Sequence, residues 1–418
     1  MKHLYNIVIL ALLYVTKLVA IFKPKVRLFY NGQKSLLQRI KKEVVTTSPI
    51  IWVHCSSVGE FEQARPIIEW YKTNKTQYKI LVTFFSPSGY ELRKCYKYAD
   101  WVFYLPADTS RNAREFLKIV KPHKAIFIKY EFWFNYLHQL KENNIETYIV
   151  AAIFRPSQYF FKWYGAPFRK MLNCYTKIFV QDTKSKDLLS SYGISKNVEI
   201  YGDPRFDRVY QITKNTPHFP NIEEFVSDSF TIIAGSTWQP DETLLERVIK
   251  NFPNTKLIIA PHEIGPKRIA EVEKCFKTFN TIKHSLISTY STQKIKEANV
   301  LIIDSIGILS SLYRYGKFAY IGGGFGEGLH NILEAAVYGT PVIFGPRFKK
   351  FKEATDLLKL GGATSVRNTA ELYSIFRNLI YVPTLLEEKG DICYKYVKSN
   401  LGATQKITSQ IEKHNKTI

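Results

Sequence analysis

The chain is poor in cysteine, and the few it has are scattered: Cys55, Cys95, Cys174, Cys275 and Cys393 in 418 residues. No CxxC pair occurs, so neither a disulfide framework nor a structural zinc site is indicated, and a reducing compartment fits best. Acidic residues are also scarce. Against 59 Lys+Arg there are 36 Asp+Glu, a net charge of +23 that favours anionic ligands. No two aspartates stand one residue apart, so a metal-chelating Asp-x-Asp site for a nucleotide phosphate is not supported. Basic side chains and helix starts would have to bear the phosphate charge, and neither a metal nor a cofactor is implied. The P-loop pattern GxxxxGK[ST] is missing, and so are repeats and low-complexity tracts. No helix-turn-helix, RNP or zinc pattern points to nucleic acid, which is not expected as a partner.

Long apolar runs are missing too, with one exception. Residues 4–22 carry a single charge, Lys17. A spanning helix needs about 20 apolar residues, and a lysine near its end can snorkel to the interface. The basic run Lys23, Lys25, Arg27, Lys34, Arg39, Lys41 and Lys42 follows. Such charge favours a cytoplasmic location for the rest of the chain and attracts an anionic membrane surface. Residues 1–30 are therefore predicted to form a membrane-anchor helix with a basic flank. The alternative is an amphipathic helix lying on the protein or in the interface.

What remains is a regular α/β pattern. Short apolar runs at 50–54, 79–83, 101–105, 124–128, 147–151, 177–180 and 198–201 alternate with helical stretches. Runs that are apolar throughout suit parallel strands covered on both faces. A polar, Pro-containing stretch at 207–228 reads as a linker. The pattern restarts at 230–234, 256–260, 299–303, 318–321 and 341–344. Domains are thus expected at 31–206 and 229–418. Ligands of open α/β sheets bind beyond the carboxyl ends of the strands, so residues just after strands are the candidates.

In the first half, Ser57-Val58-Gly59-Glu60 follows the first strand. Glu60 either works as a general base in a cleft or is an ordinary helix-start glutamate. Glu131 exits the strand at 124–128, and Arg205 follows the strand at 198–201, where its fork can meet a phosphate or carboxylate. His54 reads as a satisfied strand-end histidine rather than a metal ligand, and Cys55 has no nearby base. In the second half, Gly322 to Glu334 combines a glycine-rich turn with an expected helix start. Asn331 and Glu334, three apart, would share one face of its first turn. Glu334 could accept from both hydroxyls of a ribose, or merely stabilise the helix. Asp304-Ser305-Ile306-Gly307 and Gly235-Ser236-Thr237-Trp238 read as further helix starts, and Pro261-His262-Glu263 as another strand-end loop.

Taken together these residues resemble the Kdo transferases of lipopolysaccharide synthesis, over nearly the whole chain. The resemblance rests on a PKxRL-like stretch at Pro24 to Leu28, the SVGE motif at Ser57 to Glu60, and an ELWPN-like motif at Glu131 to Asn135. It continues with a GNxKFD-like motif at Gly202 to Asp207, a DTMGEL-like motif at Asp304 to Leu309, and a GGHNxLE-like motif at Gly328 to Glu334. It implies a GT-B type fold, with two Rossmann-like domains facing a central cleft behind a membrane anchor. The implied reaction moves 3-deoxy-D-manno-octulosonic acid (Kdo) from CMP-Kdo to a lipid A precursor (lipid IVA), inverting and metal-independent. The implied place is the cytoplasmic face of a bacterial inner membrane. Glu60 takes the role of general base, Glu131 that of transition-state stabilisation, and Arg205 that of meeting the departing phosphate or the sugar carboxylate. CMP contacts fall on Ser236, Pro261, His262, Ile306, Gly307, Ile308, Asn331, Ile332, Leu333 and Glu334. Pro261 stands where the family has Arg, and Ile308 where Glu is usual. The rival is another GT-B glycosyltransferase or a nucleotide-sugar epimerase.

Overall fold

A computed structural model describes residues 2–214, 216–326 and 328–413, with side chains from Tyr5 onward. The chain forms two compact units. Unit 1 runs to Arg208 and takes the chain back from Gly402, and unit 2 is Val209–Leu401.

Unit 1 is built on β1 (Ile50–Cys55), β2 (Lys79–Phe84), β3 (Trp101–Tyr104), β4 (Pro122–Ile128), β5 (Glu146–Ala152), β6 (Lys177–Val180) and β7 (Val198–Ile200). They form one parallel sheet in the order β3-β2-β1-β4-β5-β6-β7. Every residue of β1 is buried. The period-two alternation of a strand divides them between two cores. Ile50 and Trp52 join one apolar cluster, while Ile51, Val53 and Cys55 join the cluster on the other face. This is why the run reads as apolar throughout rather than alternating.

Unit 2 repeats the plan with β8 (Phe230–Thr237), β9 (Thr255–Pro261), β10 (Thr281–Lys283), β11 (Val300–Ile302), β12 (Phe318–Ile321), β13 (Val342–Phe344) and β14 (Ala363–Ser365). Its sheet is also parallel, in the order β10-β11-β9-β8-β12-β13-β14. The carboxyl ends of β11, β9, β8 and β12 therefore stand side by side. The expected strands are all present, so the expected α/β class holds for both halves.

Three expectations change. The stretch 207–228 is not an open linker, because it carries parts of the helices Arg205–Lys214 and Pro220–Val226. The C-terminal helix Ala403–Lys413 belongs with unit 1, where Ala403, Ile407 and Ile411 enter the cluster around Ile51 and Val53. The predicted membrane anchor is also corrected. The first helix is Lys2–Val19, a turn follows, and a second helix runs over Pro24–Gln33. At 1.5 Å per residue the first helix is about 27 Å long, short of a bilayer core of about 30 Å, and Lys17 lies inside it. Among the described residues no helix is long and apolar enough to cross a membrane.

Candidate active site

The loop after β1 turns directly into the helix Val58–Asn74, and Glu60 sits in its first turn. Ser57 caps the helix, its Oγ accepting from the Glu60 backbone N–H at 3.4 Å. Glu60 Oε2 accepts in return from the backbone N–H groups of Ser56 (2.6 Å) and Ser57 (3.1 Å). The helix-start role is therefore real. A reciprocal cap of this kind ties down otherwise orphaned N–H groups.

A second feature lifts Glu60 out of the ordinary. β4 lies beside β1 in the sheet, and its exit brings Glu131 against Glu60. The backbone gets there through a left-handed residue, Lys129 at φ 66°. Glu131 is buried, 3% exposed. Burial and the neighbouring Glu131 carboxylate push the Glu60 carboxyl up to about 8, against the pull of the Ser56 and Ser57 amides. Burial also acts to raise Glu131, but His54, Ser56 and Trp133 outweigh it and hold this carboxyl below its ordinary value. Burial and mutual repulsion thus set the two carboxyl groups apart, Glu60 shifted up and Glu131 down.

Glu131 is held from several sides. Its Oε2 accepts from Trp133 Nε1, and its backbone carbonyl accepts from the Tyr175 hydroxyl. His54 Nε2 lies 3.0 Å from the same Oε2. Nearby, Arg155 Nη1 donates to the Tyr130 hydroxyl at 3.1 Å, and Tyr130 in turn feels the Glu60 charge. Arg205 belongs to a neighbouring group. Its guanidinium grips Asp203 Oδ2 through Nε at 3.0 Å and Nη2 at 2.8 Å. Asp203 also accepts from Gln63 at 2.9 Å. Gln63 stands three residues beyond Glu60 on one face of the same helix. The structure thus joins Glu60 and Glu131 directly, and ties Arg205 to the Glu60 helix through Asp203. Sequence reasoning passed over Trp133, Tyr130 and Arg155, and set His54 aside.

In unit 2 the predicted nucleotide residues are distributed differently from expectation. Ser236 is not a helix cap. β8 continues to Thr237, with Ser236 bulged out at φ 54° where the register with β9 shifts. The helix Gln239–Ile249 starts afterwards, and the cap is Asp241, which accepts from Trp238 N at 2.9 Å, Gly323 N at 3.0 Å and the Tyr320 hydroxyl at 2.8 Å. Pro261 closes β9, and His262 follows it, exposed. The rings of Trp238 and His262 stack at 4.9 Å, and those of His262 and His330 at 4.3 Å. Burial and the neighbouring His262 hold the His330 imidazole down at about 4. Trp238, His262 and His330 thus meet beyond β8, β9 and β12.

Ile306, Gly307 and Ile308 do not open a helix. Gly307 is left-handed at φ 96°, Ile306 is 74% exposed, and the helical turn begins only at Leu309. A left-handed residue interrupts the amide array that a helix start would offer. The glycine-rich turn also differs in purpose. A Cβ on Gly322 would stand 2.3 Å from the Ser236 carbonyl, and one on Gly324 would stand 2.6 Å from the Gly345 nitrogen. These glycines admit the protein's own backbone. Glu327 lies outside the described residues. Ile332 and Leu333 are buried, and the helix here is one turn, Leu333–Ala336. Asn331 and Glu334 do share a face, Asn331 Nδ2 donating to Glu334 Oε1 at 3.0 Å. Among the described residues no group of three or more His, Cys, Asp or Glu is placed to hold a metal ion.

Comparison with known proteins adds an independent line. Residues 32–208 match the family described as 3-deoxy-D-manno-octulosonic-acid transferase (kdotransferase). A bifunctional glycosyltransferase/methyltransferase of Fusobacterium nucleatum is 29% identical over 77% of this chain, which spans only half of that protein. A 3-deoxy-D-manno-octulosonic acid transferase of Aquifex aeolicus is 28% identical over 82% of this chain and 89% of its own. Among solved structures, UDP-GlcNAc 2-epimerase from Neisseria meningitidis has a TM-score of 0.60 at 16% identity, covering 87% of this chain and all of that one. The last likeness concerns the fold alone, which is GT-B-like. The relatives indicate a glycosyltransferase of that fold. Within this class the family the chain resembles is that of the Kdo transferases, as the motifs implied.

Proposed function

We propose that this protein transfers Kdo from CMP-Kdo to a lipid A precursor, with inversion, using Glu60 as the general base. The observation that carries the reading is the pairing of half-buried Glu60 with buried Glu131 at the strand ends of unit 1. As the acceptor hydroxyl attacks the anomeric carbon, its proton goes to Glu60. Glu131, already ionised, supplies negative potential to the oxocarbenium-like sugar. CMP leaves on the opposite face. Unit 2 is assigned the nucleotide, with His262 and His330 beyond β9 and β12, Ser236 at the β8 bulge, and Glu334 toward the ribose. Arg205 is assigned to the phosphate or the sugar carboxylate.

Attachment to a membrane surface is assigned to the first helix without a span. Ile7, Leu10 and Tyr14 on that helix and Ile21 and Phe22 in the turn after it are exposed, 57% or more each. Lys17, Lys23 and Lys25 are exposed beside them. Apolar side chains flanked by lysines suit the interface of an anionic leaflet.

The test is incubation with CMP-Kdo and tetra-acylated lipid A precursor, followed by mass analysis of the lipid and measurement of CMP release. The expected product is heavier by Kdo. Glu60→Gln should retain donor binding and lose transfer by about 100- to 10,000-fold, the usual loss for a general base. No Kdo-bearing lipid from the wild-type protein would end the reading.

A further inference from the structure

β1 is buried along its whole length, and one of its residues is a histidine. A buried imidazole needs partners for both nitrogens. His54 Nδ1 lies 2.9 Å from Thr83 Oγ1 and 3.1 Å from the Thr83 carbonyl oxygen, on the neighbouring strand β2. Thr83 Oγ1 is itself fixed, accepting from Trp52 Nε1 at 2.8 Å. The hydroxyl proton of Thr83 is then available to Nδ1. A proton on Nε2 faces Glu131 Oε2 at 3.0 Å. The approach is too oblique for a hydrogen bond of good geometry, so the contact is an electrostatic one at close range, on the oxygen that also takes the Trp133 indole N–H. A lone pair on Nε2 would instead face an ionised carboxylate, which burial makes costly.

We propose that His54 is a positioning residue: Thr83 and Trp52 fix its ring, the ring fixes the Glu131 carboxylate, and Glu131 in turn leaves Glu60 as the group that takes the acceptor's proton. This rests on the proposed Kdo transfer and adds a residue to it. The arrangement Thr83–His54–Glu131–Glu60 has the logic of a polar relay in which each member sets the state of the next, through hydrogen bonds at Thr83 and a close electrostatic contact at Glu131. Other charged and titratable groups face the cluster from each neighbouring element. Glu62 and Cys55 flank Glu60, Tyr130 and Arg155 lie beyond β4 and β5, Asp182 acts on Tyr130, and Tyr175 holds the Glu131 backbone. None of these touches the far nitrogen of His54.

The experiment compares His54→Ala, His54→Gln and Thr83→Val with Glu60→Gln, in full-length protein, by CMP release from CMP-Kdo with lipid A precursor across pH 5–10. His54→Ala should lower kcat about 10- to 100-fold, the range seen when a buried orienting partner is lost, with KM for CMP-Kdo within twofold of wild type. Without its donor the carboxyl pair holds its proton more tightly, so the rising limb of the pH profile should move to higher pH. His54→Gln, which offers Glu131 a neutral N–H, should recover part of both. If His54→Ala does not fold, Thr83→Val carries the test, with a smaller shift in the same direction. A wild-type kcat and unmoved profile in the folded histidine variants, or an unmoved profile in Thr83→Val, overturns the proposal while Glu60→Gln is inactive. An active Glu60→Gln instead overturns the base assignment itself.

Discussion

At the scale of single residues, Glu60 holds two positions at once. Its carboxylate completes a helix cap, yet it is crowded by Glu131 and carries its proton up to about 8. The sign of the consequence is fixed. A carboxyl whose folded value is raised favours the protonated form in the native state, so it withdraws stability as pH climbs from the unfolded value through the folded one. Glutamine can serve the same cap without ever ionising. Glu60→Gln should therefore gain stability relative to wild type as pH rises from 5 to 9, while losing transfer. Urea unfolding at the two pH values reads this directly, and an identical difference at both would refute it. On the proposed base role the same proton sets activity: wild-type transfer at limiting substrate should rise with pH until the pair has shed its proton near 8. Glu60 was legible in sequence as either a base or a cap; the structure shows the cap, and the neighbouring Glu131 carboxylate supports the proposed base. The contact of His54 with Glu131 was not legible, because Glu131 becomes a neighbour only once β1 and β4 lie side by side.

At the scale of elements, the first helix shows how a correct sequence signal can carry a wrong conclusion. Residues 4–22 are apolar, but the helix ends at Val19 and its first turns are bound to unit 1 rather than free. The Tyr5 hydroxyl donates to Asp108 Oδ2 at 2.7 Å, and Asn6 Oδ1 accepts from the Ser110 N–H at 3.1 Å and Asn135 Nδ2 at 3.2 Å. Asp108 is buried and also takes the backbone N–H groups of Asn135 and Tyr136. Burial raises its carboxyl to about 6, although each of these donors pulls it down. Protonation is thus easier in the folded state, and stability falls as pH rises from about 4 through 6. Asp108→Asn should flatten that fall. At pH 7 it should also loosen the first helix, because an amide presents only one oxygen to three donors. Hydrogen exchange over residues 5–19 measures the loosening, and unchanged protection would argue against Asp108 as the fastening point. The same segment bears Glu131 at its other end, so the EFWFN stretch links the helix attachment to the carboxylate pair. Elsewhere the apolar runs marked their strands well. The two that escaped, β10 and β14, are three-residue edge strands with one fully buried residue each, too short to write a period into the sequence.

At the scale of the whole molecule, the chain leaves unit 1 after Arg208, builds unit 2, and returns at Gly402. From sequence alone the tail falls in the second domain, 229–418. The reason for its return lies in residues far upstream. Asp207 accepts from the backbone N–H groups of Gly402 and Thr404, both at 2.6 Å, which places a carboxylate at the start of the helix Ala403–Lys413. At the other end Lys124 of β4, fully buried, donates to the Ile411 carbonyl at 2.7 Å and pairs with Glu146 at 3.1 Å. The Tyr71 hydroxyl adds a bond to Glu412 at 2.9 Å. A lysine in an apolar strand is legible as an anomaly, but one of its partners is a backbone carbonyl, which no residue pattern announces. Removing one side of a buried charged contact costs about 3 to 5 kcal/mol. Lys124→Ala should therefore destabilise unit 1 by an amount in that range and expose the amides of residues 403–413 to exchange. Unit 2 should keep its own unfolding transition, since none of these contacts belongs to it. Denaturant titration with exchange readout separates the two units. Loss of protection across Val209–Leu401 as well would mean that the returning helix stabilises both sheets rather than the one it packs on.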